Sequence, residues 1–220
     1  MKLRQGFTLA EVLITLGIIG IVAALTMPML IGNYKKQVAA TQLKKMVSTL
    51  SQALERAKAD GKYLDPETET EDDLVDYIIP YFNVAKRCEN GEDGCGLTDF
   101  KCLHGYDQGL ALSKSKKRYV LTDGTFIGFN LIGGTDNYVY VDINGGKKPN
   151  KIGYDVFMIH LKLNKNNIKD LVTIDNWGTW KSAMHYFEDD GQGCDKDNTL
   201  SGKYCFMRVE YDNYTFDYWK

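Results

Sequence analysis

Residues 7–31 read FTLAEVLITLGIIGIVAALTMPMLI and carry one charged side chain, Glu11. No other feature restricts the chain so strongly. A helix of that length is about 37 Å long, and the hydrocarbon core of a bilayer is about 30 Å thick. The run can therefore cross a membrane. A secretory signal peptide has a shorter apolar centre, about 7–15 residues, followed by an Ala-x-Ala-like cleavage site. Neither feature fits this run. The rest of the chain is polar: of 27 Lys+Arg and 29 Asp+Glu in 220 residues, nearly all lie after Ile31. That segregation argues against a freely soluble cytosolic enzyme and for an anchored protein whose body is large enough to bury a core. The formal net charge of −2 gives no bulk pull toward nucleic acid or acidic lipid.

The order of features around the run is as informative as its length. Lys2 and Arg4 come first, then Gly6, then Phe7 opens the apolar stretch and Glu11 follows. A carboxylate at mid-membrane depth costs about 2.5–3.5 kcal/mol on insertion scales. Two arrangements relieve it. A cut between Gly6 and Phe7 would leave a cationic amine on Phe7, one helical turn from Glu11 or opposite the Glu11 of a neighbouring copy. Alternatively, Glu11 sits near the interface and is stabilised by the helix N-terminus. The residues alone leave both open. Pro28 removes a helical hydrogen bond, which a membrane helix tolerates. Basic residues flank the run on both sides, Lys2 and Arg4 before it and Lys35 and Lys36 after it, so they fix no orientation.

The segment KLRQGFTLAEVLITLGIIGIVAALTMPML resembles the N-terminus of type IV pilins and of the pseudopilins of type II secretion. The resemblance rests on a short basic leader ending in Gly6, on Phe7 behind it, and on Glu11 and Pro28 at the fifth and twenty-second positions after the cut. It implies cleavage after Gly6 by prepilin peptidase and N-methylation of Phe7. It also implies a docking role for Glu11 and a helix that can melt near Pro28 on assembly. The implied partners are further copies of the chain, other pilins or pseudopilins, prepilin peptidase and an inner-membrane assembly platform. The implied location is a single pass through the bacterial inner membrane, with the head in the periplasm or outside, and then a pilus or pseudopilus filament. Two other readings compete. One is a ligand-binding or enzymatic periplasmic domain on a single-helix anchor, for which Glu11 has no use. The other is a minor subunit of a DNA-uptake pilus, which differs only in surface charge and partners.

The expected organisation is a basic leader over 1–6, a membrane or filament-core helix over 7–31, an amphipathic continuation over 32–60 and an α+β head over 61–220. Leu43, Val47, Leu50, Leu54 and Ala57 recur at helical spacing and form one stripe for core packing. Asp60-Gly61 supplies a stop. TETEDDLVDYIIPYF predicts a short helix with Thr70 as cap, acids at its positive end and Pro80 closing it. Residues 118–163 predict an antiparallel meander of about four strands. Asp123-Gly124 marks a hairpin, Val139, Val141 and Ile143 share one face, and Phe157, Ile159, Leu161 and Leu163 share another. The C-terminal region, with Trp177 and Trp180, reads as loop-rich, and residues 203–211 fit helix or strand. The expected fold is thus pilin-like α+β, with the apolar face of the sheet on the long helix.

No dinucleotide, Walker or nucleophile-elbow motif appears, and His104, His160 and His185 are isolated, so the body is expected to catalyse nothing. His160 is expected at a surface or sheet edge. SKSKKR at 113–118 reads as a solvated strand entry rather than a DNA contact. Of five cysteines, Cys194 and Cys205 bracket a polar loop and are expected to pair, and Cys88 is provisionally paired with Cys102, leaving Cys95 free. Cys88, Cys95, Cys102 and His104 lack the usual zinc spacing. Disulfides place the body outside the cytoplasm. The stretch VDINGGKKPNKIGYDVF offers Asp142, Asn144, Asn150 and Asp155 as hard oxygen donors. The resemblance implies calcium in such a loop. Lys147, Lys148 and Lys151 argue against a cation, and the alternative is a turn whose side chains cap their own backbone.

Overall fold

The computed structural model describes residues 6, 8–61, 71–88, 92–105, 112, 116–131, 137–163, 172–174, 193–195, 197 and 201–219. Lys2, Arg4, Phe7, Thr70, residues 113–115, Trp177, Trp180 and His185 lie outside them. Helix α1, Leu9–Ala59, is helical throughout, with Pro28 inside it. It contributes to two compact units, 1–38 and 39–220.

In the first unit the apolar side chains point away from any protein neighbour. Leu13, Ile14, Leu16, Ile18, Ile19, Ile21 and Leu25 are between 58% and 76% exposed. The helix is long and apolar enough to cross a membrane, with none of the apolar window buried.

The second unit begins where burial begins. Ala39, Leu43, Met46, Leu50, Ala53, Leu54 and Ala57 form the buried stripe of α1, which adds Met46 and Ala53 to the predicted positions and leaves Val47 half-buried. The helix stops as its Asp-Gly pair requires: Gly61 takes a left-handed φ of 65°, and its N–H donates to the Lys58 carbonyl at 3.1 Å. Helix α2, Glu71–Ile78, follows. Pro80 lies in a 3₁₀ turn, Ile79–Tyr81, that tightens its end.

The sheet is a meander in chain order. Strands β1 (Val84–Cys88), β2 (Arg118–Leu121), β3 (Phe126–Leu131), β4 (Asn137–Asp142) and β5 (Val156–Leu163) pair antiparallel with sequential neighbours. The expected four strands become five. The addition is β1, whose sequence VAKRC shows no apolar alternation because its middle three residues are exposed. A three-residue β6, Val172–Ile174, pairs with the far end of β5. Between β2 and β3 the Asp123-Gly124 turn forms as predicted, with the Thr125 N–H on Asp123 Oδ1 at 3.0 Å and Gly124 at φ 88°.

The sheet differs from expectation in having two covered faces. Ile127, Phe129, Val139, Val141, Phe157 and Ile159 share one face through the registers Phe129↔Val139↔Ile159 and Ile127↔Val141↔Phe157. They lie in one buried cluster with the α1 stripe. Tyr138, Tyr140, Met158 and His160 share the other face, and each is 5% exposed or less. That corrects the expected surface or edge position of His160, whose ring lies 5.0 Å from that of Tyr138. Loop residues provide the second cover. Phe100 packs 6.3 Å from Tyr140, and Leu112 comes so near Gly128 that a Cβ there would sit 2.4 Å from its Cδ1. Residues 203–211, open to either reading, contain helix α3, Cys205–Tyr211.

Candidate functional site

The N-terminal segment presents its one acid at a helix start. Thr8 precedes α1, and its N–H and hydroxyl both donate to Glu11 Oε2 at 2.8 Å. The Glu11 N–H returns a bond to Thr8 Oγ1 at 3.3 Å. This is a capping box: the two side chains satisfy backbone N–H groups that have no intrahelical partner. In the uncut chain Glu11 therefore finds its donors one turn back, at the positive end of the helix dipole. Sequence reasoning missed Thr8, although the Thr-x-x-Glu spacing before an apolar run was visible. Gly6 is exposed and Phe7 lies outside the described residues. Pro28 sits inside the helix without ending it.

The loop between β4 and β5 gathers Asp142, Asn144, Asn150 and Asp155. Asp142 ends β4 and accepts the N–H groups of Asn144, Gly145 and Gly146 at 3.1, 3.0 and 3.0 Å. Asp155, just before β5, accepts the N–H groups of Lys151 and Asn150 at 2.7 and 2.9 Å. Its Oδ2 also accepts the Asn144 side-chain amide at 2.9 Å. Both aspartates are 3% exposed or less. Burial pushes the Asp142 carboxyl up to about 6, against the three N–H groups and with the charge of Asp155 adding to the rise. Burial raises Asp155 as well, against the N–H groups of Lys151 and Asn150.

Calcium is the cation that oxygens of this kind suit. The ion takes six to eight oxygens at about 2.3–2.6 Å. Here every carboxylate oxygen already accepts at least one hydrogen bond. Of the described side-chain oxygens in this loop, Asn144 Oδ1 and Asn150 Oδ1 are buried without a hydrogen-bond partner. Among the described residues no three His, Cys, Asp or Glu side chains converge on a metal position. The two carboxylates and the two amide oxygens are hard donors of the kind calcium takes, and a carboxylate oxygen that accepts one N–H keeps a further lone pair.

The cysteines pair differently from one expectation. Cys194 bonds Cys205, and Cys88 bonds Cys95, which leaves Cys102 as a buried thiol. The Cys88–Cys102 pairing is thereby corrected, and the geometry gives the reason. Arg118, 1% exposed, donates to the carbonyls of Glu92 and Gly96 at 2.6 and 3.1 Å. It thus folds the chain after β1 back on itself and returns Cys95 to Cys88. Cys102 is carried elsewhere, because the Leu103 N–H donates to the Ser201 carbonyl at 2.7 Å.

Comparison with known proteins places a family motif at the N-terminus. Residues 1–27 fit the family model of the prokaryotic N-terminal methylation motif. No curated protein and no solved structure matches the chain. The motif points to a structural subunit rather than an enzyme, and it implies processing by prepilin peptidase and assembly with other pilins. It fits an apolar helix that anchors the chain by a single pass in the inner membrane. The chain carries, over its first 27 residues, the processing segment that marks the type IV pilin and pseudopilin family.

Proposed function

We propose that this chain is a filament subunit of a type IV pilus or a type II secretion pseudopilus. Prepilin peptidase cuts between Gly6 and Phe7, and the new Phe7 amine is methylated. The subunit waits in the inner membrane with its body on the periplasmic side. An assembly platform then draws the helix out of lipid into a bundle with other copies or other pilins. The observation that carries this reading is the methylation motif at 1–27 running directly into a helix whose apolar side chains have no protein cover.

The energetics support the reading. A helix presenting on the order of a thousand Å² of apolar surface costs about 25 kcal/mol in water. Neither lipid nor neighbouring helices can be dispensed with, so extraction and packing must be coupled. Glu11 supplies direction. In the uncut chain Thr8 holds its carboxylate. After the cut an amine stands one residue before Thr8, and a Glu11 from an adjacent copy gains a cationic partner in a medium where charges interact strongly. The capped acid is then the monomer's arrangement and the ion pair is the filament's.

The test is the intact mass and N-terminal sequence of the protein extracted from membranes. A chain beginning at a methylated Phe7 is expected. A chain beginning at Met1, or near residue 30, overturns the proposal.

A further inference from the structure

We propose that calcium, held in the β4–β5 loop by Asp142, Asp155 and the amide oxygens of Asn144 and Asn150, latches the C-terminal tail onto the head. Three observations carry the proposal.

The first is a pair of unused oxygens. Asn144 and Asn150 are tied to one carboxylate: the Asn144 side-chain amide and the Asn150 backbone N–H each donate to Asp155 Oδ2 at 2.9 Å. Their own Oδ1 atoms lie buried and accept no hydrogen bond. A buried acceptor in that state calls for an ion or a water. The two amides and the two carboxylates hold six oxygens between them, within the six to eight that calcium takes. The N–H groups already on the carboxylates leave lone pairs free, so those donors and an ion are compatible.

The second is charge. Asp142 and Asp155 are buried, and among the described residues no ammonium or guanidinium group pairs with either. Buried charges are as a rule paired or bound to a metal. The loop lysines lie elsewhere. Lys147 and Lys148 are exposed, and Lys151 places its ammonium over the Tyr154 ring, 4.8 Å from the centroid.

The third is what the seat is joined to. Asp155 closes the 150–155 turn by accepting the Asn150 and Lys151 N–H groups. That turn presents the Gly153 carbonyl, which accepts the Tyr218 hydroxyl at 2.5 Å and the Trp219 indole N–H at 2.9 Å. Tyr154, in the same turn, stacks on Trp219 at 4.9 Å. An ion that draws Asn150 and Asp155 together therefore tightens the turn on which the tail rests. Without the ion the two amide oxygens stay unmatched and the turn opens more readily.

The test uses the full-length chain in detergent, first stripped with EDTA and then given calcium chloride. At a hundred times its Kd, calcium is expected to raise the Tm by about 5–10 °C in a chain of this size. Amide hydrogen exchange across residues 213–219 is expected to slow by about tenfold or more on the same addition. An unchanged Tm overturns the proposal, and so does a raised Tm with unchanged exchange in the tail. Asn150→Gly removes one of the oxygens and suits the left-handed φ of 47° at that position. Its Tm in EDTA is expected to lie within about 2 °C of that of the unaltered chain, with the calcium-dependent rise at least halved. A full calcium-dependent rise in the variant overturns the assignment of Asn150 to the seat. These readings come from the head and do not depend on fibre formation, so they stand apart from the test of the N-terminal segment.

Discussion

The membrane-facing stretch of α1 and the body differ in where their groups find partners. In the body several buried charged groups find partners within the chain. Arg118 is buried yet gives its guanidinium to backbone carbonyls. Asp142 and Asp155 are buried yet accept backbone N–H groups. Arg208 holds Asp217 at 3.0 Å, linking α3 to the tail. Along residues 9–31 the reverse holds: large apolar side chains are exposed in quantity and no protein group covers them. A stretch of that kind is incomplete as a monomer in water. The difference teaches that changes in the body are read as stability, whereas changes near Glu11 are read as association.

The largest effect expected from this contrast comes from Glu11→Gln. A Gln at the third helical position still completes a capping box, so the helix start survives and only the charge is lost. Removing one partner of a buried ion pair costs about 3–5 kcal/mol. Fibre yield is therefore expected to fall by about a hundredfold or more, while the Tm of the detergent-solubilised protein stays unchanged. The yield is measured on sheared fibres from cells that express the processing peptidase. Wild-type yield would show that Glu11 serves the helix cap alone, and the contrast between the two regions would lose its electrostatic half.

The two regions were also unequally legible. The apolar run and the methylation motif could be read from residue order because both are properties of a linear segment. The stripe of α1 and the Asp123-Gly124 turn were readable for a similar reason: helical spacing and turn chemistry are local. The covered second face of the sheet was not readable. Tyr138, Tyr140 and His160 alternate with apolar residues, and such residues commonly face solvent. Here they are buried because Phe100 and other distant loop residues return over them, an arrangement set by tertiary packing. Cys95 shows the same limit. Its even spacing with Cys88 and Cys102 carried no pairing information, which came from Arg118 gathering carbonyls across 22 and 26 residues.

That pairing is the basis of the second prediction, of intermediate size. In the chain-entropy account a bridge spanning 11 residues, as Cys194–Cys205 does, or 7 residues, as Cys88–Cys95 does, stabilises by about 2.5–3 kcal/mol. Replacing both cysteines of either bridge with Ser is expected to lower the Tm by about 5–10 °C and to leave leader processing intact. Alkylation sharpens the assignment. In denaturant without reductant, one thiol per chain should react, and peptide mass mapping should find it at Cys102. Finding it at Cys95 would reinstate the Cys88–Cys102 bridge and remove the argument from Arg118.

The smallest effect belongs to an ion pair that joins α1 to the β2–β3 turn within the body. Lys45 Nζ lies 2.7 Å from Asp123 Oδ2, with the two side chains 62% and 36% exposed. Geometry this good in so wet a place is worth about 0.2–1 kcal/mol, and salt at about 1 M screens most of it. Burial alone would raise the Asp123 carboxyl, but the bonds from Lys45 and Thr125 outweigh it and hold it below the usual range. Because the folded pKa is depressed, the stabilisation is present above the unfolded pKa of about 3.9 and is lost as pH falls through the folded value. Lys45→Ala should therefore lower the Tm by about 1–3 °C at neutral pH and low salt. The difference should vanish in strong acid or high salt. Asp123→Ala should cost more than Lys45→Ala at neutral pH, since it also strips the Thr125 N–H of its acceptor. Equal costs would mean that the ion pair, rather than the turn it closes, is what the hairpin contributes to the body.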